Sequence, residues 1–156
     1  MIAIPQEVLR FLEKQGFVII STLDENQRIH CAAKGIVGLE KEGRVHIIDV
    51  YRGRTFSNLK KNPTASVTAV DERQFHGYTL KGVAGIVERE KIAGHIIQAW
   101  EDRVIRRISG RLIHNVKNEK KTGHHPESRL PQPQYLITLD VEEIVDLAPA
   151  HLKAKG

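Results

Sequence analysis

The residues with the clearest chemistry lie in one short stretch, YRGRTFSNL, where Arg52, Arg54, Thr55, Ser57 and Asn58 crowd the expected start of a helix. A helix start leaves backbone N–H groups unpaired and carries a positive partial charge. Two guanidiniums and a hydroxyl beside it therefore suit an oxyanion such as a phosphate ester. The plainer alternative is a Thr55 N-cap with the arginines in solvent. A second cluster lies on RIHCAAKG, where period-two alternation puts His30, Ala32 and Lys34 on one strand face. A basic residue among small ones can accommodate a flat ligand or its phosphate there; the alternative is an ordinary surface lysine.

Other chemistries find little support. His30 and His46 have no carboxylate or thiolate partner at ligand spacing, so a metal site is not expected, and His124-His125 reads as solvated loop. Gly53 and Gly82-Val83-Ala84-Gly85 fit neither the Walker loop nor the dinucleotide fingerprint, and no nucleophile elbow occurs. Cys31, between apolar neighbours, is expected to be a buried, inert thiol, and Trp100 a core or subunit-interface residue. No side chain stands out as an acid or base.

The elements that would position these residues follow from periodicity. Pro5, the stripe Val8, Leu9, Phe11 and Leu12, and Gly16 predict a short amphipathic helix over 5–15. Strands are expected over 17–23, 28–39 and 44–50, joined by polar turns into an antiparallel meander. A short helix within 51–63 ends at Asn62-Pro63, and strands resume over 64–70 and 78–87. Small residues on one face of the latter, Gly82 and Ala84, imply close packing. Ile92, Ile96, Trp100, Val104 and Ile108 recur at four-residue steps and predict a helix over 88–108, with its arginines late, as the macrodipole favours. A long loop is expected over 109–134, fit either to cover a site or to be disordered, and then a last strand over 135–141. No repeat or linker breaks the chain, so residues 1–156 are expected to form one domain. Its fold class is mainly β (α+β): an antiparallel sheet of six or more strands curled into a barrel, with two or three helices outside.

Composition narrows the partners. The formal charge of +5 favours anions in general. Aromatic residues make up only 5%, too few for a single-strand stacking platform, and the charges run in mixed-sign segments, so nucleic acid ranks last among the anionic partners. A lone cysteine and an N-terminus without an export signal lead to an expectation of a cytoplasmic protein with no membrane partner.

The order of the pieces FVIISTLDENQRIHCAAKGIVGLEKEGRVHIIDVYRGRTFSNLKKNPTASVTAV and YTLKGVAGIVE resembles the FMN-binding split-barrel proteins related to pyridoxamine 5'-phosphate oxidase. The resemblance rests on Ser21 to Asp24, His30 to Lys34, Val45 to Val50, Arg52 to Thr55, Asn58-Leu59, Asn62-Pro63 and Lys81-Gly82 with Ala84, over roughly residues 5–88 and 135–141. It implies a split β-barrel with FMN in a cleft between the two barrels of a homodimer. In that correspondence Arg54 and Thr55 resemble the phosphate-binding turn, with Arg52 beside them and Asn58 supporting it. Lys34 would reach the phosphate or the ribityl chain. His30, Ala32 and Ala33 would line the flavin, and Ile48, Asp49 and Val50 would pass their backbone along the isoalloxazine edge. An oxidoreductase using a small-molecule substrate, with NADH or NADPH as a donor, is implied; the alternatives are a non-catalytic FMN or haem carrier, and last a basic nucleic-acid module. Two departures stand out: Thr55 occupies a position where a second basic residue is common, and the arginine and histidine motif that grips pyridoxal phosphate is missing.

Overall fold

In the computed structural model of the chain, residues 1–117 and 132–153 are described. Six antiparallel strands close a barrel: β1 (Val18–Leu23), β2 (Ile29–Glu40), β3 (Arg44–Asp49), β4 (Thr64–Asp71), β5 (His76–Glu88) and β6 (Tyr135–Asp146), in the order β1-β2-β3-β6-β5-β4. Three helices, α1 (Gln6–Glu13), α2 (Arg54–Lys61) and α3 (Gly94–Lys117), stand outside it. The β1–β2, β2–β3 and β4–β5 hairpins form the expected short connections, while β6 joins the free edges of β3 and β5, which removes the exposed edges of an open sheet.

Alternation decides what fills the barrel. Val18 and Ile20, Val45 and Ile47, Val67, Leu80, and Tyr135, Ile137, Leu139 and Val141 point inward and are sealed from solvent. Val8, Leu9 and Leu12 of α1 and Leu59 of α2 join the same core. A smaller cluster of Ile48, Ile96 and Leu136, with Trp100 against it, fixes α3 on the outer face of β3 and β6.

Two glycines are demanded by geometry. Gly43, in the β2–β3 turn, has φ +120°, and a Cβ there would lie 2.1 Å from the Ile2 carbonyl oxygen. At Gly82 the β5–β6 register shifts, and a Cβ would meet the Asp140 carbonyl oxygen at 1.9 Å. The close packing expected from the small residues of this strand is thus, at Gly82, the approach of β6 at a bulge.

Several boundaries differ from expectation. The last strand runs on to Asp146 because Tyr78 to Lys81 supply it with partners beyond the bulge. The helix expected from residue 88 starts at Gly94, since β5 keeps pairing to Glu88 and a 3-10 turn over Arg89–Lys91 follows. At its other end α3 continues to Lys117, into the expected 109–134 loop. A single Gly110 costs a helix only about 1 kcal/mol, and no proline intervenes before Pro126. The rest of that loop to residue 131 lies outside the described residues.

Candidate functional site

The turn leaving β3 leads straight into α2. Gly53 is the N-cap, with no side-chain capping bond, and the Ser57 N–H makes an early helical bond to its carbonyl at 3.1 Å. Thr55 is therefore inside the first turn and buried, not the cap. Arg54 opens the helix exposed, with no hydrogen bond or ion pair among the described residues. Arg52 is engaged differently. It pairs with Glu88 at the end of β5, donates to the Gln134 carbonyl at 3.3 Å and lies 4.8 Å over the Phe56 ring. The hydrogen bond from Arg52 holds the Glu88 carboxyl below its ordinary range. Asn58, buried on the next turn, donates to the Thr22 hydroxyl at 3.0 Å.

Asp49, the last residue of β3, is 2% exposed and points into the barrel mouth. Its Oδ2 is 2.7 Å from the Lys34 ammonium and accepts the Tyr135 hydroxyl at 2.7 Å, while Oδ1 accepts the Tyr51 N–H at 3.2 Å. Burial, first, and the Asp49 carboxylate, second, push the Tyr135 phenol well above its ordinary value. Lys34 is thus neither a free surface lysine nor an open anion hook; it is half of an inward ion pair.

Outside the strands, α3 leaves a cleft of about 230 Å³ against β2 and β3. Ala33, Gly35, Ile48 and Val50 give it an apolar floor, and Trp100, Arg103 and Arg107 wall it from α3. Arg107 donates to the Gly16 carbonyl. Arg103 has no acidic partner among the described residues. Desolvation, then repulsion from Arg107 and Arg106, pulls its pKa down. An apolar slot with an uncompensated guanidinium can receive a flat, negatively charged molecule.

The expected site residues divide into three groups. Ala33, Lys34, Ile48, Asp49 and Val50 all border the cleft, and Arg52, Arg54, Thr55 and Asn58 follow its Tyr51 edge in sequence. His30 and Ala32 share the less exposed face of β2 with Lys34, as alternation requires, but neither lines the cleft; Ala32 packs on the barrel core. Cys31 corrects an expectation: it is exposed, beside Ser21 Oγ at 3.4 Å, because it shares the outward, solvent-facing side of β2 with Ile29 and Ala33. Sequence reasoning passed over Tyr135, Arg103 and Arg107. In the sequence the late arginines of α3 read as complements to the macrodipole, and only the tertiary position of α3 aims Arg103 and Arg107 at the sheet. Among the described residues no group of three or more His, Cys, Asp or Glu could hold a metal ion, and no helix is long and apolar enough to cross a membrane.

A closed six-stranded antiparallel barrel with three helices outside it is the architecture of the pyridoxamine 5'-phosphate oxidase-like split barrels. The family model described as pyridoxamine 5'-phosphate oxidase matches residues 4–147, and the chain belongs to that family. Among solved structures it is similar to HupZ of Group A Streptococcus, at 19% identity over 92% of this chain and 94% of that one, with a TM-score of 0.63. It is also similar to HutZ, the heme storage protein from Vibrio cholerae, at 20% identity over 93% and 94% with a TM-score of 0.54. A pyridoxamine 5'-phosphate oxidase-related, FMN binding protein from Nostoc punctiforme shares 13% identity over 94% and 86%, with a TM-score of 0.57. No curated protein matches the chain.

Proposed function

We propose that this protein binds FMN and serves as an oxidoreductase that passes electrons or a hydride to a small organic acceptor. The observation that carries the reading is the start of α2: Arg54 with no hydrogen bond or ion pair among the described residues, a Gly53 N-cap with no capping side chain, and open space where a Gly53 Cβ would stand. That turn fits a phosphate in charge, in N–H donors and in room. It adjoins, through Tyr51, a cleft with a flat apolar floor. Bound there, the flavin would supply the redox chemistry. Arg54 and the α2 backbone would hold its phosphate, Asn58 would brace the helix against β1, and Ile48 and Val50 would exclude water beside the ring. Arg103 would favour an acceptor or donor with a negative group.

The outward strip containing Ile29, 74% exposed, and Val83, 45% exposed, is where a second copy would pack in a homodimer. Haem is the competing ligand, favoured by the likeness to HutZ. It needs an axial donor. His46 already contacts Glu40 through Nε2, so of the donors expected from the sequence His30 and the histidines of the expected 109–134 loop, His114, His124 and His125, would have to serve.

The test is titration of the purified protein with FMN and separately with haemin, followed by visible absorbance and by emission of the single tryptophan, Trp100. FMN should bind and quench Trp100. Replacing Arg54 and Thr55 together by alanine should release it from a folded protein; unchanged flavin affinity in that variant would refute the phosphate seat.

A further inference from the structure

Asp49 stands where three elements meet, and its four contacts all use different donors. Its carboxylate receives Lys34 from β2 and Tyr135 from β6 on one oxygen, and the Tyr51 amide on the other, while its carbonyl accepts the Gln134 N–H at 2.9 Å. Only the Tyr51 contact lies on the path to α2. A carboxylate that accepts the N–H two residues on closes an Asx turn and so sets the direction in which the chain leaves the strand. Here that direction points Arg52, Gly53 and Arg54 along the edge of the cleft. The carboxylate cannot swing away to release Tyr51, because Lys34 and Tyr135 grip its other oxygen in a site with almost no solvent access.

We propose that Asp49 is a positioning residue for the anion-binding turn: its carboxylate, clamped by Lys34 and Tyr135, holds the Tyr51 amide and thereby fixes the backbone that presents Arg54 and the N-terminus of α2. This rests on the reading of that turn as the seat of a phosphate. It gives the ion pair a task beyond stability, which a buried pair serves poorly, since well-packed neutral side chains often replace one at no loss.

That property separates positioning from folding. In a Lys34→Met, Asp49→Leu double variant the charges leave together, so the barrel is expected to stay folded, but Tyr51 loses its acceptor. In Lys34→Met, Asp49→Asn the amide oxygen still accepts from Tyr51, and the amide nitrogen can donate to the Tyr135 oxygen. Two readouts apply to each full-length variant: the FMN dissociation constant, and hydrogen exchange of the Tyr51 amide without any ligand. The leucine variant should weaken FMN by roughly tenfold and speed Tyr51 exchange by at least about tenfold, the size expected for one lost hydrogen bond. The asparagine variant, which keeps the acceptor and the Tyr135 contact but not the Lys34 grip, should recover most of both losses.

Equal flavin affinity in the two variants, or Tyr51 exchange unaltered by leucine, would overturn the assignment. If the parent protein fails to bind FMN, the proposed function falls. The exchange measurement, which needs no flavin, then decides by itself whether Asp49 holds the turn. If either variant unfolds, Tyr135→Phe replaces it: the loosened clamp should speed Tyr51 exchange in a folded protein, and unchanged exchange there refutes the clamp.

Discussion

Asn58 of α2 donates its side-chain amide to the Thr22 hydroxyl of β1 at 3.0 Å, and both residues are buried. This bond joins the helix that carries Arg54 to the barrel wall, so its loss should register first in stability. Asn58→Ala leaves the Thr22 hydroxyl without its donor and should destabilise the fold by about 1–3 kcal/mol. Urea denaturation measures this directly. Replacing both groups by apolar ones of similar size, Asn58→Leu with Thr22→Val, should recover most of the loss.

Gly82 and Gly53 should respond unequally to alanine. At Gly82 the new methyl would strike backbone that belongs to β6, and backbone cannot rotate aside as a side chain can. A destabilisation of about 1–3 kcal/mol or more is expected, read as a lower unfolding midpoint. At Gly53 nothing lies within 4 Å of an added Cβ and φ is −95°, so Gly53→Ala should cost only what alanine costs at an N-cap, about 1 kcal/mol or less. Any loss of flavin affinity in that variant would then report contact with ligand, not damage to the fold.

Local pattern carried the fold because most elements announce themselves within a few residues. Pro63 stops α2, the run of β-branched residues at 17–23 marks β1, and alternation at His30, Ala32 and Lys34 assigned the right residues to one face. What pattern could not supply was which face each neighbouring element covers. The same alternation placed Cys31 outward, yet its apolar neighbours suggested burial. Lys34 was legible as a basic residue on the His30 face of β2, but its partner is Asp49 on the next strand, a pairing set by the β2–β3 register. Extension of β6 to Asp146 depended on a bulge opposite Gly82, which the sequence marks only by a glycine.

Tyr135 links the buried network to pH. Its phenol is raised above the ordinary tyrosine value in the folded state. A raised group contributes stability that is whole below the unfolded value, about 10, and is lost as pH climbs above it. Unfolding free energy should therefore fall between about pH 9.5 and 11, with uptake of hydroxide on unfolding. Tyr135→Phe should be less stable at pH 8, because the bond to the Asp49 carboxylate is gone, yet show a shallower decline over the alkaline range. Equal slopes in the two proteins would show that another group governs the alkaline limb.

Arg103 sits half-buried in the α3 wall with two arginines nearby and no acidic partner among the described residues, so the ligand-free protein bears the cost of a cation held without compensation. Arg103→Met keeps the length and apolar stem of the side chain while removing the charge. The ligand-free variant should be more stable than its parent by about 0.5–2 kcal/mol, as for other sites where function opposes stability. The parent should also gain thermal stability as sulfate replaces chloride at constant ionic strength, because an anion bound only by the folded state shifts the equilibrium toward it. In Arg103→Met that gain should shrink. A variant that melts no higher than the parent and responds to sulfate equally would mean that solvent already satisfies this guanidinium, and that the wall of the cleft exerts no pull on anions.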